Sequence, residues 1–167
     1  SDIAPEHRWL TAPLVTYGWS GYDVHFPDHS RSLDNIYYTI ESERLDWLLR
    51  HNLPASALMT GRHVKAVSPR LVVLDGAQRI NAGGVIDARG VADYHHLDCG
   101  WQKFTGQLLQ LREPHDLKRP IVMDATVEQY DGYRFVYVLP FGMDKIFVED
   151  TYYSDTPDLD RRIMAQR

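Results

Sequence analysis

A single cysteine, Cys99, stands in 167 residues, which excludes an internal disulfide framework and suits a reducing compartment. No apolar run approaches the roughly 18 residues that a membrane-spanning helix needs. The longest apolar stretches, around Leu71–Leu74 and Phe135–Phe141, are strand-sized. A basic surplus is also missing: 23 Asp and Glu stand against 18 Lys and Arg, for a net charge of −5. With no basic stripe to bind phosphates, nucleic acid is not an expected partner. The opening Ser1-Asp2-Ile3-Ala4-Pro5 has neither the basic n-region nor the apolar h-region of a secretory signal. No Gly-rich turn joins a strand to a helix, so neither a P-loop nor a dinucleotide fingerprint is present.

What is there is ordinary for a globular chain. Apolar residues make up 44% and charged residues 25%, and the length suits one domain over residues 1–167 with a real core. Both ends read as cut from a longer protein. The chain opens without Met, and Thr156-Pro157-Asp158 reads as the cap and first turn of a helix running to Arg167.

Strand signals dominate. Tyr22–Phe26 alternates apolar and polar residues, and Asn35–Ile40 is rich in β-branched and aromatic residues. Ser42 is placed to cap a helix in which Leu45, Leu48 and Leu49 share a face, ending before Pro54. Asp75-Gly76 between Leu71–Leu74 and Gln78–Ile80 predicts a two-residue hairpin. The Val85–Gly90 stretch, VIDARG, reads as an apolar strand entering a turn, and Val91–Phe104 as irregular. Three runs near the end, Ile121–Gln129, Tyr133–Leu139 and Lys145–Tyr153, are joined by Asp131-Gly132 and by Pro140–Asp144. Such short connections predict antiparallel neighbours. The fold class expected is α+β: an antiparallel sheet with few short helices.

Within the last run, Glu149 and Asp150 are adjacent acids among apolar and aromatic residues. A carboxylate in such a setting is costly unless paired or protonated. Strand alternation places Glu149 with Phe147, Thr151 and Tyr153, and Asp150 with Val148 and Tyr152 on the opposite face. Spacing alone favours the plainer reading, two acids solvating an exposed strand end. The surrounding aromatics, from Tyr130 to Tyr153, suit either a groove for a long apolar ligand or ordinary cross-strand packing. Asp93, His95, His96, Asp98 and Cys99 match no zinc spacing, so no metal is expected. Cys99 has no identifiable His–acid partners for nucleophilic work.

Several segments together resemble the bacterial lycopene β-cyclases. Val85–Gly90 is similar to the strand that, in hydroxylase- and reductase-type flavoproteins, returns the chain to the FAD pyrophosphate. Gly100–Gln107 (GWQKFTGQ), Pro120–Val127 (PIVMDATV), Gly132–Pro140 (GYRFVYVLP) and Phe147–Thr151 (FVEDT) follow in family order, and His7–Val15 also fits. The resemblance implies the substrate-side module of such a flavoprotein fold, lacking the amino-terminal FAD fingerprint domain and the carboxy-terminal region. It implies proton-initiated, non-redox closure of the linear ends of lycopene into β-ionone rings, giving β-carotene through γ-carotene. Glu149 then falls on the catalytic acid with Asp150 beside it, and Asp87, Arg89 and Gly90 fall near the cofactor. Reduced FAD with NAD(P)H is implied for the full-length enzyme, with none expected bound to this chain alone. The resemblance also implies lycopene as partner and the bacterial cytoplasm as location, with the parent enzyme peripheral to the inner membrane. Protonating an alkene needs a neutral carboxylic acid, which burial beside aromatics favours, and dry aromatic faces then shelter a cation. Two other readings fit the residues: a module holding a long apolar ligand without chemistry, and a flavin-dependent reductase of isoprenoid chains.

Overall fold

The structure is a computed structural model that describes residues 3–90, 96–130 and 132–164. In chain order the elements are the one-turn helix α1 (Arg8–Thr11), strands β1 (Tyr17–Trp19), β2 (Tyr22–Phe26), β3 (His29–Leu33) and β4 (Tyr37–Thr39), and helix α2 (Ser42–Asn52). Strands β5 (Val64–Ser68), β6 (Leu71–Leu74), β7 (Arg79–Asn81), β8 (Trp101–Gln110) and β9 (Ile121–Asp124) follow. The long hairpin β10 (Tyr133–Phe141) and β11 (Lys145–Ser154) precedes the short helix α3 (Arg161–Met164). The chain divides into two compact units, one made of Ser1–Leu45 with Cys99–Arg167 and the other of Asp46–Asp98.

The first unit is built on a six-stranded sheet in the order β3-β2-β9-β10-β11-β8. As expected, β9, β10 and β11 are consecutive antiparallel neighbours. One pair departs from the antiparallel expectation: β2 runs parallel to β9, so the sheet is mixed. The β10–β11 ladder is nine pairs long, from Tyr133↔Tyr153 to Phe141↔Lys145. The expected Pro140–Asp144 connection therefore shrinks to Gly142-Met143-Asp144, with Gly142 at φ +76°. At the other end Gly132, φ +97°, sits so close that a Cβ would stand 2.2 Å from the Tyr153 carbonyl oxygen. Asp131, its expected turn partner, lies outside the described residues.

Other boundaries shift for local reasons. The Ile121–Gln129 run pairs only as far as Asp124, whose Oδ1 accepts from the Thr126 backbone N–H and hydroxyl. That Asx turn draws the backbone out of the ladder. The stretch expected to be irregular up to Phe104 instead enters β8 at Trp101, because β11 offers it a ten-residue ladder; Val91–His95 lie outside the described residues. The closing helix starts at Arg161, not at Pro157. Asp160 Oδ1 accepts from the Arg162 and Ile163 N–H groups and caps it in place of Thr156.

In the second unit β5, β6 and β7 form an antiparallel sheet. The β6–β7 loop has four residues, Asp75-Gly76-Ala77-Gln78, where two were expected. Leu74 N–H donates to the Gln78 carbonyl, and both Gly76 and Ala77 take positive φ. The expected strand over Val85–Gly90 does not form, since a strand needs a ladder. Val85 N–H bonds Pro69 O, and Ile86 is 96% exposed. Helix α2 forms and ends before Pro54 as expected; Leu48 is half-buried while Leu45 and Leu49 are exposed. Its Ser42 is the first helical residue, and the Glu41 carbonyl accepts the first N–H groups, from Arg44 and Leu45. No helix among the described residues is long and apolar enough to cross a membrane.

Candidate functional site

Directly opposed residues of an antiparallel ladder share a face, so the registers of β8, β11 and β10 fix what surrounds each acid. On one face lie Gln102, Phe104, Gly106, Leu108 and Gln110 of β8, then Lys145, Phe147, Glu149, Thr151 and Tyr153 of β11. Tyr133, Phe135, Tyr137, Leu139 and Phe141 of β10 complete that face. Glu149 is its sole carboxylate across these three strands. It stands directly between Gly106 and Tyr137.

Aromatic rings bracket Glu149 along the sheet. Toward one end Tyr133, Phe135 and Tyr153 pack with centroids 5.9–6.4 Å apart. Toward the other, the β1–β4 ribbon lies on the sheet through Tyr17 and Trp19, whose rings are 4.7 Å and 5.8 Å from Phe141. Tyr37 meets Tyr22 and Tyr137 edge-on, and the Tyr37 and Tyr137 hydroxyls are hydrogen-bonded to one another. Burial, first of all, and then the Tyr37 hydrogen bond push the Tyr137 hydroxyl far above its ordinary value; the charges of Tyr37 and Glu149 add to this. Tyr137 is therefore a fixed neutral wall. Phe104, Leu108, Tyr133 and Tyr153 on the same face are 40–55% exposed, leaving an apolar surface open around the acid.

The Glu149 carboxyl is half-buried, and its Oε1 accepts a 3.0 Å hydrogen bond from the fully buried Thr151 hydroxyl. Asp150, as alternation requires, faces the other way. Arg134 grips it with two hydrogen bonds, Nε to Oδ1 at 2.7 Å and Nη2 to Oδ2 at 3.2 Å, and Tyr152 adds its hydroxyl at 2.8 Å. Arg134 also donates to the Glu128 carbonyl and has the Tyr130 and Tyr152 rings within 6 Å. The bond to Asp150 raises the guanidinium pKa further. The two adjacent acids thus have opposite surroundings: one among rings with a hydroxyl donor, the other locked to a buried cation. A cleft of about 550 Å3 elsewhere, between Arg8, Thr11, Val15, Asn35 and Tyr38, contains none of the expected site residues.

The chain matches the family described as lycopene cyclase protein over residues 6–167. It belongs to the lycopene cyclase family. It is 43% identical to a lycopene β-cyclase of Pseudescherichia vulneris over 99% of its length, and 43% identical to one of Pantoea ananas over 96%. A lycopene β-cyclase of a Paracoccus species is 37% identical over 98%. The chain spans 42% of the length of each of these relatives. Among solved structures, a peptidyl tryptophan dihydroxylase, QhpG, essential for tryptophylquinone cofactor biogenesis, shares the fold alone. Its TM-score is 0.52 at 15% identity, over 96% of this chain and 37% of that one.

The residues expected near a flavin pyrophosphate lie in the second unit. Asp87 accepts from Arg89 Nε and Nη2, both at 2.8 Å, and from its backbone N–H, while Arg89 Nη1 donates to the Val64 carbonyl. These bonds hold the Asp87 carboxyl at a pKa of about 2. Gly90 has φ +84° and open space where a Cβ would be. Arg89 is thus paired with Asp87 through two of its five guanidinium N–H groups and bonded to the Val64 carbonyl through a third. Of the polar set near Cys99, Asp93 and His95 lie outside the described residues, and His96, Asp98 and Cys99 are exposed.

Sequence reasoning placed Thr151 on the face of Glu149 but missed Arg134, Tyr37 and Gly106 as parts of the site. Arg134 carried a signal, a lone cation within an apolar and aromatic strand that a buried carboxylate must answer. Tyr37 carried none, because its place beside Tyr137 depends on a contact 100 residues distant.

Proposed function

We propose that this chain is the substrate-side sheet of a lycopene β-cyclase with a hydroxylase- and reductase-type flavoprotein fold, in which Glu149 is the general acid. The observation that carries the proposal is the position of Glu149 as the lone carboxylate of an open aromatic face. Membership of the family and the relatives' names supply the substrate. With Oε1 held by Thr151, Oε2 carries the acidic proton outward to the ligand.

The Glu149 O–H bond breaks as its proton adds to the terminal double bond of lycopene, leaving positive charge on the adjacent substituted carbon. The neighbouring alkene supplies its electron pair to form the ring C–C bond, moving the charge into the ring. A ring C–H bond then breaks, its pair becomes the ring double bond, and the proton returns to the Glu149 carboxylate. Protons balance and no electrons are exchanged. Tyr137 and Phe135 exclude water, which would otherwise quench the cation. Asp150, ionised against Arg134, fixes the strand that aims Glu149. Reduced FAD with NAD(P)H serves the whole enzyme, and ring closure as written takes nothing from Asp87, Arg89 or Gly90. The location proposed is the bacterial cytoplasm, with the whole enzyme reaching its lipid-dissolved substrate at the inner-membrane surface.

Glu149→Gln in the whole enzyme tests this, because the amide keeps the shape and loses the acidic proton. General acid catalysis contributes ~10²–10⁴-fold, so β-carotene formed in lycopene-producing cells should fall at least that far at matched expression. Near-normal β-carotene would remove Glu149 from the mechanism.

A further inference from the structure

Phe147 and Glu149 are two residues apart on β11 and point to the same face. A phenylalanine there would ordinarily lie opposite its own partner, Leu108. Its ring instead reaches diagonally over Gly106, the residue directly opposite Glu149. A Cβ at position 106 would stand 2.6 Å from Phe147 Cζ and 2.8 Å from Cε2, nearer than real side chains approach. The missing side chain is therefore the seat of the ring. Meanwhile the Glu149 carboxyl leans toward Thr151, away from that seat. The ring thus covers the β8 residue that pairs directly with Glu149.

We propose that Phe147 is a catalytic aromatic: its ring face lies beneath the carbocation formed when Glu149 protonates the substrate, and Gly106 is the positioning residue that seats it there. The proposal rests on the general-acid reading of Glu149. A tertiary alkyl cation on an apolar face finds no counter-charge near it except the carboxylate that has just given up its proton. The negative face of an aromatic ring stabilises such a charge without offering a nucleophile, and does so most strongly away from water. Tyr137, the other ring beside Glu149, has its hydroxyl held by Tyr37, which leaves Phe147 as the ring drawn out of its own register toward the acid.

Fluorination drains the negative face of the ring stepwise while scarcely altering its shape, which separates this role from packing. Phenylalanine analogues with one, two and three ring fluorines are placed at position 147 of the whole enzyme by nonsense suppression. Initial β-carotene formation is then measured at matched soluble expression and matched thermal unfolding midpoint. Each fluorine should slow cyclisation about twofold or more, and Phe147→Leu should slow it roughly ten- to thirtyfold, the size of a desolvated cation–π contact. Gly106→Ala displaces the ring and should lose about as much as Phe147→Leu, with the double variant little worse than either. A flat fluorine series beside an inactive Glu149→Gln protein overturns the role of Phe147 alone. An active Glu149→Gln protein overturns the acid beneath it. Full activity in Gly106→Ala overturns the seat, and should that variant fail to fold, the fluorine series decides.

Discussion

Two adjacent carboxylates in one strand meet opposite electrostatic environments because alternation turns them to opposite faces. Asp150 has 15% and Arg134 8% of its side chain exposed, so each holds charge where water scarcely compensates it. Removing one partner of such a pair leaves the other uncompensated and costs roughly 3–5 kcal/mol. Asp150→Asn keeps the shape and should lower the whole enzyme's thermal unfolding midpoint by several degrees, as should Arg134→Met; the double variant should be milder than the sum. Glu149→Gln should leave that midpoint nearly unmoved. The pair of measurements sorts the acids: Asp150→Asn with an unchanged midpoint but no β-carotene would put Asp150 in the chemistry beside Glu149.

The elements that frame Glu149 depend on turn geometry more than on strand propensity. Gly132 precedes β10 at φ +97°, and a Cβ there would stand 2.2 Å from the Tyr153 carbonyl oxygen, a position that rejects any side chain twice over, by conformation and by space. Gly132→Ala should destabilise the fold by at least about 1–3 kcal/mol, read as a shift in the urea midpoint with the slope unchanged. A midpoint shift below about 0.5 kcal/mol would show that the turn relaxes at little cost. The β9–β11 meander was legible in the sequence because its signals are local: alternation within runs and glycine between them. So was the division of Glu149 and Asp150 between two faces. What local pattern does not carry is whether a run finds a partner. Val85–Gly90 has the apolar composition of a strand but no ladder, and Ile121–Gln129 loses its ladder where the Asp124 side chain outcompetes it. The parallel β2–β9 pair joins segments almost 100 residues apart, and nothing in either strand announces the other.

At the scale of the molecule, the candidate residues divide between two units: Glu149 and its aromatic face belong to one, and Asp87, Arg89 and Gly90 to the other. The resemblance to flavoproteins makes the second set a candidate for the cofactor's pyrophosphate, yet its acid and its cation are bonded to each other. Two hydrogen bonds and an opposite charge already engage the Arg89 guanidinium, with the Val64 carbonyl as a third acceptor. Recruiting it to a diphosphate means breaking the contact that holds the Asp87 carboxyl at a pKa of about 2, and that carboxylate would then repel the incoming anion. Pyrophosphate sites in such folds rest on backbone N–H groups of a Gly-rich turn at a helix N-terminus, a pattern this sequence does not contain. We therefore expect the purified 167-residue chain to show no saturable FAD binding at low micromolar concentration. Calorimetric titration and quenching of flavin fluorescence measure this directly, with Asp87→Asn as the informative variant. If the Asp87–Arg89 bond is what withholds the cation, the Asp87→Asn chain should bind FAD more tightly than the native one. Saturable low-micromolar binding by the native chain, undiminished by Arg89→Met, would mean that FAD is held elsewhere on these two units.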